Sequence, residues 1–452
     1  MTDARLMHPQ WSSRIAFVLA ASGSAIGLGN IWKFPYLTGE NGGGAFVMVY
    51  LLCVAALGIP VMMAETMLGR RGRQSPINAM LTLAEEAKAS PAWQFTGWLG
   101  VIAGFLILSY YSVIAGWSMV YILKMGSGLF TRMNAEDAGR VFSDLKGSFE
   151  IQFIWHTLFM AATMSIVSLG VSSGLEKGTR YLVPLLFVML LLLAGYAVTS
   201  DGFGQGMAFM FKPDFSRLSS ESLLTAMGQA FFSLGLGMGA IMVYGSYLPS
   251  HVSIARSALF VAAADTVVAL LAGVAIFPIV FANHLEPTMG AGLIFQTLPV
   301  AFGQMPGGSF FGMLFFALVF FAAITSSIAL IEPAVAWLSE NRRVTRSAAC
   351  LWSGAASWLL GLGTVLSFND WANYTWFDKT FFELVDFVTS NLMLPIGGLM
   401  VAVFSGWVMG ARDTETELEM GSAAGYRAWR FLIRYVAPLG VALVFLRAIG
   451  VF

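Results

Sequence analysis

Two short runs of this chain concentrate glycine where backbone rather than side-chain chemistry is at stake: Gly23-Ser24-Ala25-Ile26-Gly27-Leu28-Gly29-Asn30 and Ser233-Leu234-Gly235-Leu236-Gly237-Met238-Gly239. Both lie inside long apolar stretches. A helix interrupted there leaves amide N–H and C=O groups unpaired in hydrocarbon, and each costs several kcal/mol until something binds it. Freed carbonyls can coordinate sodium, and N–H groups at a positive helix end can hold an amino acid carboxylate. Either run alone also fits close helix packing through small residues. A pair at corresponding places in two halves is the pattern of inverted-repeat transporters. Asp265 places an ionisable group inside another apolar stretch, a functional candidate by default; a solvated or salt-bridged carboxylate near a helix end is the alternative. Thr325-Ser326-Ser327 offers hard oxygen ligands on a small-residue stretch, or simply interhelical hydrogen bonds. His8, His156, His251 and His284 are scattered, and no HExxH or GxSxG arrangement occurs, which argues against an intramembrane enzyme.

These residues must be positioned by membrane helices. Of 452 residues, 57% are hydrophobic and only 11% charged, more apolar surface than a soluble interior can hide. Net charge is zero, with no basic block for a nucleic acid partner, and Cys53 and Cys350 stand apart, at neither metal-ligand nor framework spacing. Runs long enough to cross the hydrocarbon core fall near 14–38, 43–69, 94–124, 151–171, 176–199, 223–247, 257–284, 308–338, 347–368, 381–409 and 428–450. The expected fold is an all-α integral membrane bundle of eleven helices, since no barrel-like alternation is present. The first run continues into Asn30-Ile31-Trp32-Lys33-Phe34-Pro35 without a cleavage site, so it is expected to stay attached. Arg70, Arg71, Arg73, Lys177, Arg180, Arg256, Arg342, Arg343, Arg346 and Arg412 fall on one side, which makes that side cytoplasmic and puts the N-terminus there. The run Asp413 to Glu419 reads as a solvated loop.

Several ordered motifs carry a likeness over almost the whole chain: Trp11-Ser-Ser-Arg14, Gly23 to Pro35, Glu40-Asn-Gly-Gly-Gly-Ala-Phe46, Gly58-Ile-Pro60 with Glu65 and Gly69-Arg70, Tyr110-Tyr111, Trp117, Gly228 to Ser233, and Phe320 to Ser327. In these the sequence resembles the neurotransmitter:sodium symporter family, in its bacterial hydrophobic amino acid branch. The resemblance implies inverted five-helix repeats with discontinuous helices 1 and 6: residues 1–200 as the N-terminal tail and first repeat, 201–410 as the second, and 411–452 as a cytoplasmic loop and the eleventh helix. It implies two sodium sites. One takes the Ala25 carbonyl, Asn30, Ser233, Asp265 and the substrate carboxylate; the other takes the carbonyls of Gly23, Ile26 and Ala322 with the hydroxyls of Thr325 and Ser326. Most relatives have Asn where this chain has Asp265. An ion pair at about 4 Å and an effective dielectric near 20 is worth roughly 4 kcal/mol, so a carboxylate can balance charge in place of an anion. Chloride-independent transport is expected.

The same likeness assigns the substrate pocket to Ser24, Ala25, Gly27, Ile107, Tyr111, Phe231, Phe232, Ser233, Gly235, Gly237, Met238, Ser326 and Leu330, with Tyr111 donating to the carboxylate and Phe232 as an aromatic lid. Gly235 and the adaptable thioether of Met238 point to large apolar side chains. Lys33 and Asp386 match an outer gate, with Lys unable to make the bidentate pair of the more usual Arg; Glu340 matches an inner gate, for which Arg5 and His8 compete as the basic partner. Gly174 and Pro184 match a pattern that lets helix five unwind, though a helix start followed by a kink explains them too. The implied function is import of hydrophobic or aromatic L-amino acids with sodium by alternating access across a bacterial inner membrane; a non-transporting sensor with the same binding site is the alternative. Oligomeric state is not legible.

Overall fold

The computed structural model describes residues 10–285, 292–342, 344–448 and 451. The chain runs as α1 (Arg14–Ala25), α2 (Gly29–Glu40), α3 (Gly44–Gly72), α4 (Pro76–Glu86), α5 (Pro91–Gly126), α6 (Ala135–Gly147), α7 (Phe149–Ser168), α8 (Val171–Val198), α9 (Phe203–Phe211), α10 (Ser220–Ser233), α11 (Ala240–Ser246), α12 (Ile254–Ala282), α13 (Leu298–Gln304), α14 (Gly308–Arg342), α15 (Arg346–Ser367), α16 (Phe381–Val408), α17 (Ala411–Leu418) and α18 (Ala423–Arg447). Among the described residues nine helices are long and apolar enough to cross a membrane, and α1 with α2 form a tenth span bent by 51°. The remaining expected span is α10 with α11. Each is too short to cross alone, because Leu234 to Gly239 separates them.

Helix starts are written locally. Ser13 accepts from the Ala16 N–H at the start of α1, and Ser219 and Ser222 bond reciprocally at the start of α10. The two longest spans, α5 and α14, are buried over 78% of their most apolar windows, against 33% for α7 and 28% for α18. The first pair is therefore the centre of the bundle, and the second faces outward. Gly104 lets α5 and α14 approach: a Cβ there would stand 2.7 Å from the Leu330 carbonyl oxygen.

One expectation is overturned. Asp413 to Glu419 is not a solvated loop, because all but its last residue lie in α17. Thr414 and Leu418 face inward, and Glu417 takes the buried guanidinium of Arg70, with Nε–Oε1 at 2.5 Å. The acidic letters hid an amphipathic turn whose apolar positions are four residues apart. Short helices α4, α6 and α9 also fill connections in which the sequence reading named no helix.

Candidate functional site

The first break is stitched by side chains from distant helices. The Ile26 N–H still closes the last turn of α1 on Ser22, but beyond it the Gly27 N–H donates to Asn30 Oδ1 at 3.2 Å and the Leu28 N–H to the Tyr111 hydroxyl at 3.2 Å. That contact leaves the tyrosine's own proton for another acceptor. Gln229 Nε2 donates to the Gly29 carbonyl at 2.9 Å. The Gly29 carbonyl also takes the Phe34 N–H within its own helix, whereas the Leu28 N–H finds its partner 83 residues away.

Two oxygen-rich loci adjoin this break. At the first, Asn30 Nδ2 donates to Asp265 Oδ1 at 2.8 Å and to Ser233 Oγ at 3.1 Å, and Ser233 Oγ donates to Asp265 Oδ2 at 2.6 Å. All three are buried. No cation side chain of the described residues lies within ion-pair distance of Asp265, so it is neither solvated nor salt-bridged. Tyr50, unassigned by the sequence reading, joins them with its hydroxyl 3.2 Å from Ser233 Oγ and 3.5 Å from Asp265 Oδ2.

At the second locus, Ser326 Oγ reaches the carbonyls of Ser24 at 3.1 Å, Ile26 at 3.2 Å and Gly23 at 3.5 Å. Thr325 Oγ1 lies 3.0 Å from the Ala322 carbonyl. The neighbouring Ser327 instead bonds Thr163 across to α7 at 2.8 Å. The TSS run thus divides its labour: Ser326 serves the break, and Ser327 serves helix packing.

The second break turns on glycine. Gly235, Gly237 and Gly239 have φ of +64°, +79° and +71°, a left-handed region that L side chains avoid. One side chain holds it: buried Glu65 on α3 accepts the Gly237 N–H at 2.7 Å. Between the breaks a cavity is lined by Ser24, Ala25, Gly27, Leu28, Gly29, Ile107, Tyr111, Phe232, Gly235, Met238, Ala240, Ser326 and Leu330. Of the expected pocket residues, Phe231, Ser233 and Gly237 stand elsewhere. Phe231 packs toward Gly398, Ser233 belongs to the Asp265 cluster, and Gly237 abuts the Leu394 carbonyl.

Tyr111 and Phe232 also line a second cavity beyond the first, with Trp32, Tyr36, Tyr110, Phe382, Lys33 and Asp386. The expected Lys33–Asp386 pair is not formed in this conformation. Lys33 Nζ lies 4.0 Å from the centroid of the Phe232 ring, whose face holds the ammonium, while Asp386 Oδ1 accepts from Tyr110 Oη at 3.1 Å and Ser390 Oγ at 2.9 Å. At the other end of the bundle the chain is shut. Trp11 is buried against Tyr244 and Tyr247, and Glu332 holds Arg346 at 2.5 Å while accepting from the Tyr247 hydroxyl at 2.8 Å. Glu340 takes the Ser75 N–H at 2.8 Å and Asn78 Nδ2 at 2.9 Å, capping α4. Arg5 and His8, its expected partners, lie outside the described residues. Gly174 sits in the wide turn Val171–Glu176 that opens α8, and Pro184 lies within the same helix.

The model of the sodium:neurotransmitter symporter family matches residues 8–133 and 141–452. This chain belongs to that family. It is a multi-pass membrane protein and a sodium-dependent transporter, not an enzyme. It is 39% identical over 445 residues to the sodium-dependent transporter YhdH of Bacillus subtilis, covering 98% of each chain. To the human sodium- and chloride-dependent GABA transporter 2 it is 26% identical, covering 96% of this chain and 78% of the relative. Among solved structures, MhsT in complex with L-phenylalanine matches with a TM-score of 0.90 and 40% identity, over 97% of this chain and 99% of that one. Within the family frame, Tyr50, Glu65, Gln229, Tyr110 and the Glu332–Arg346 pair are contributors to which the sequence reading gave no site role. For Glu65, Gln229 and Glu332 the available signal was a polar or ionisable side chain inside an apolar span; Arg346, in a basic connection, and the two tyrosines carried no such signal.

Proposed function

We propose that the chain imports hydrophobic and aromatic L-amino acids with two sodium ions, without chloride. The observation that carries this reading is the Asn30–Ser233–Asp265 cluster beside a cavity whose walls are mostly apolar. Ile107, Met238, Leu330 and the Phe232 ring favour a large apolar side chain, Gly235 leaves room for it, and the Tyr111 hydroxyl at the cavity wall suits its carboxylate. The phenylalanine bound by MhsT supports the same class. Asp265 supplies a fixed negative charge where sodium's charge must be offset in a low dielectric.

Sodium at this locus needs Asn30 Oδ1 facing the ion. That oxygen is the one that now accepts the Gly27 N–H, so an ion there shares or takes over the acceptor that shapes the break. Ion binding and the shape of the first break are thereby one event. At the other locus sodium displaces the Ser326 proton from the carbonyls of Gly23 and Ile26. The repeat division at residues 200 and 410 is supported by correspondence. Each half opens with a broken span, places a short helix (α4 or α13) before its third span, and has that third span (α5 or α14) as its longest. The arrangement suits alternating access, with Trp11 and the Glu332–Arg346 pair closing the side that we assign to the cytoplasm of a bacterial inner membrane. Two ions entering down a potential of about 100 mV contribute roughly 2.3 kcal/mol for each charge moved.

Uptake of labelled leucine or phenylalanine into proteoliposomes tests this reading, with sodium and chloride gradients imposed separately and all twenty amino acids as competitors. Accumulation driven by sodium alone, and competed by the large apolar set, is expected. Saturable binding without accumulation favours the sensor reading instead.

A further inference from the structure

Arg434 lies on the outward face of α18, twelve residues into a helix that has no acidic residue. Its guanidinium carbon stands 4.0 Å from the Trp407 ring centroid and 5.7 Å from that of Tyr435. Both rings are half exposed, and so is Phe431, which packs against Tyr435 with centroids 5.6 Å apart. Trp407 is fixed by donating its indole N–H to the Arg434 carbonyl at 2.9 Å, and the two backbones meet closely because Gly406 has no side chain. Arg434 Nε is buried with no hydrogen-bond partner, and among the described residues no carboxylate lies within ion-pair distance of the guanidinium. The arginines nearest along the helix behave differently: Arg430 donates to Thr414 and Met409, and Arg427 to its own helix carbonyl at Ala423.

An unpaired guanidinium among aromatic rings on an outward face is expensive in a membrane unless an anion meets it. Trp407 is one residue from the end of α16, at the end of the bundle that carries the Arg70–Glu417 pair. Aromatic side chains of this kind gather at headgroup depth, and basic pockets between spans recognise anionic headgroups. Here the rings hold the guanidinium's carbon against the protein, which leaves its remaining donors for a phosphate in the fork geometry arginine favours. We propose that Arg434, Trp407 and Tyr435 form a binding site between α16 and α18 for the phosphodiester of an anionic phospholipid in the leaflet on that side. Its acyl chains would run from there toward the bilayer centre along the exposed apolar face of Leu439.

The test uses the full chain, purified and delipidated in detergent. Native mass spectrometry and thermal unfolding are followed as phosphatidylglycerol, phosphatidylcholine or inorganic phosphate is added. Wild type is expected to retain phosphatidylglycerol in preference to phosphatidylcholine and to gain several degrees in Tm from it, with inorganic phosphate giving no comparable gain. Arg434→Gln should lose at least about tenfold in apparent phosphatidylglycerol affinity, Trp407→Leu should lose part of it, and Arg427→Gln should retain it. Equal phosphatidylglycerol retention by wild type and Arg434→Gln overturns the proposal, as does an equal response to the two phospholipids in wild type. Should Arg434→Gln not fold, Arg434→Lys keeps the charge without the planar fork, and unchanged affinity there overturns the arginine-specific geometry.

Discussion

The two breaks solve one problem by opposite means. At Ala25 to Gly29 the backbone keeps ordinary angles at its glycines, none of which has positive φ, and side chains meet its backbone groups: Asn30 from nearby, and Tyr111, Gln229 and Ser326 from distant helices. At Leu234 to Gly239 three left-handed glycines turn the chain upon itself, with the Gly235 N–H returning to Phe232 and the Leu236 N–H to Phe231, and among the described residues Glu65 is the one side chain that bonds to it. On the proposed reading the first break is the responsive one, its side-chain partners giving way to ions. The second is set by backbone angle, and the same reading expects its conformation to survive such an exchange.

The contrast is broken most severely at Asp265. Asp265→Ala removes the charge on which the proposed ion locus relies and takes both carboxylate acceptors from Asn30 and Ser233, leaving Asn30 Nδ2 the backbone carbonyl of residue 265 and Ser233 Oγ the Tyr50 hydroxyl. Sodium-driven uptake should fall by about a hundredfold or more. Asp265→Asn keeps the shape and loses the charge, so its uptake should become dependent on external chloride. Chloride-independent activity in both wild type and Asp265→Asn would remove the charge-balance role.

Next in size is Gly27→Ala, which tests whether the first break needs space. A Cβ at Gly27 would stand 2.5 Å from Ser326 Oγ and 2.8 Å from the Tyr111 hydroxyl, so the two groups that meet the freed backbone must both move. Apparent affinities for sodium and amino acid should weaken together, by about tenfold or more. Weakening of one without the other would separate the ion locus from the pocket.

Glu65 sharpens the other side of the comparison. Glu65→Ala strands the buried Gly237 N–H, which costs about 1–3 kcal/mol, so substrate binding should drop roughly tenfold to a hundredfold. Glu65→Gln retains an oxygen at the same reach and should stay within a few-fold of wild type. Binding measured by scintillation proximity separates the two, and equal loss in both variants would mean that the charge, not the hydrogen bond, holds the second break.

How much of this was legible follows the same division. The glycines that make the second break are local, so Gly235, Gly237 and Gly239 stood out in sequence, as did the spans, whose twenty-residue apolar length is itself a local property. The grips on the breaks are not local. Glu65 lies 172 residues from Gly237, Gln229 lies 200 from Gly29, and Tyr50 lies 215 from Asp265. No periodicity within one span announces such a pairing, and Tyr50 reads as one more aromatic in an apolar run. The candidate ion residues came as a set from the family likeness alone, and the cavity gathers Ser24, Tyr111 and Leu330 from three helices with Met238 from the second break. Phe231 and Phe232 show the limit: adjacent in the motif, they are turned about 100° from one another around α10, and only Phe232 meets the cavity between the breaks. The α17 reading failed for a different reason, since four acidic residues outweighed the two inward positions that decide a short amphipathic helix.

The smallest expected effect isolates angle from space. A Cβ at Gly235 would meet nothing within 4 Å, whereas one at Gly237 would meet the Leu394 carbonyl oxygen at 2.6 Å, yet both glycines have positive φ. Gly235→Ala should therefore cost only the backbone term of about 1–2 kcal/mol, while Gly237→Ala pays that and a steric displacement of α16. Because the added methyl lines the cavity, Gly235→Ala should disfavour tryptophan relative to leucine in competition assays while leaving the apparent sodium affinity within about twofold, since the first break's partners are untouched. A large loss of sodium affinity in Gly235→Ala would show that the second break also moves with the ions, and that the division between a responsive break and a rigid one is wrong.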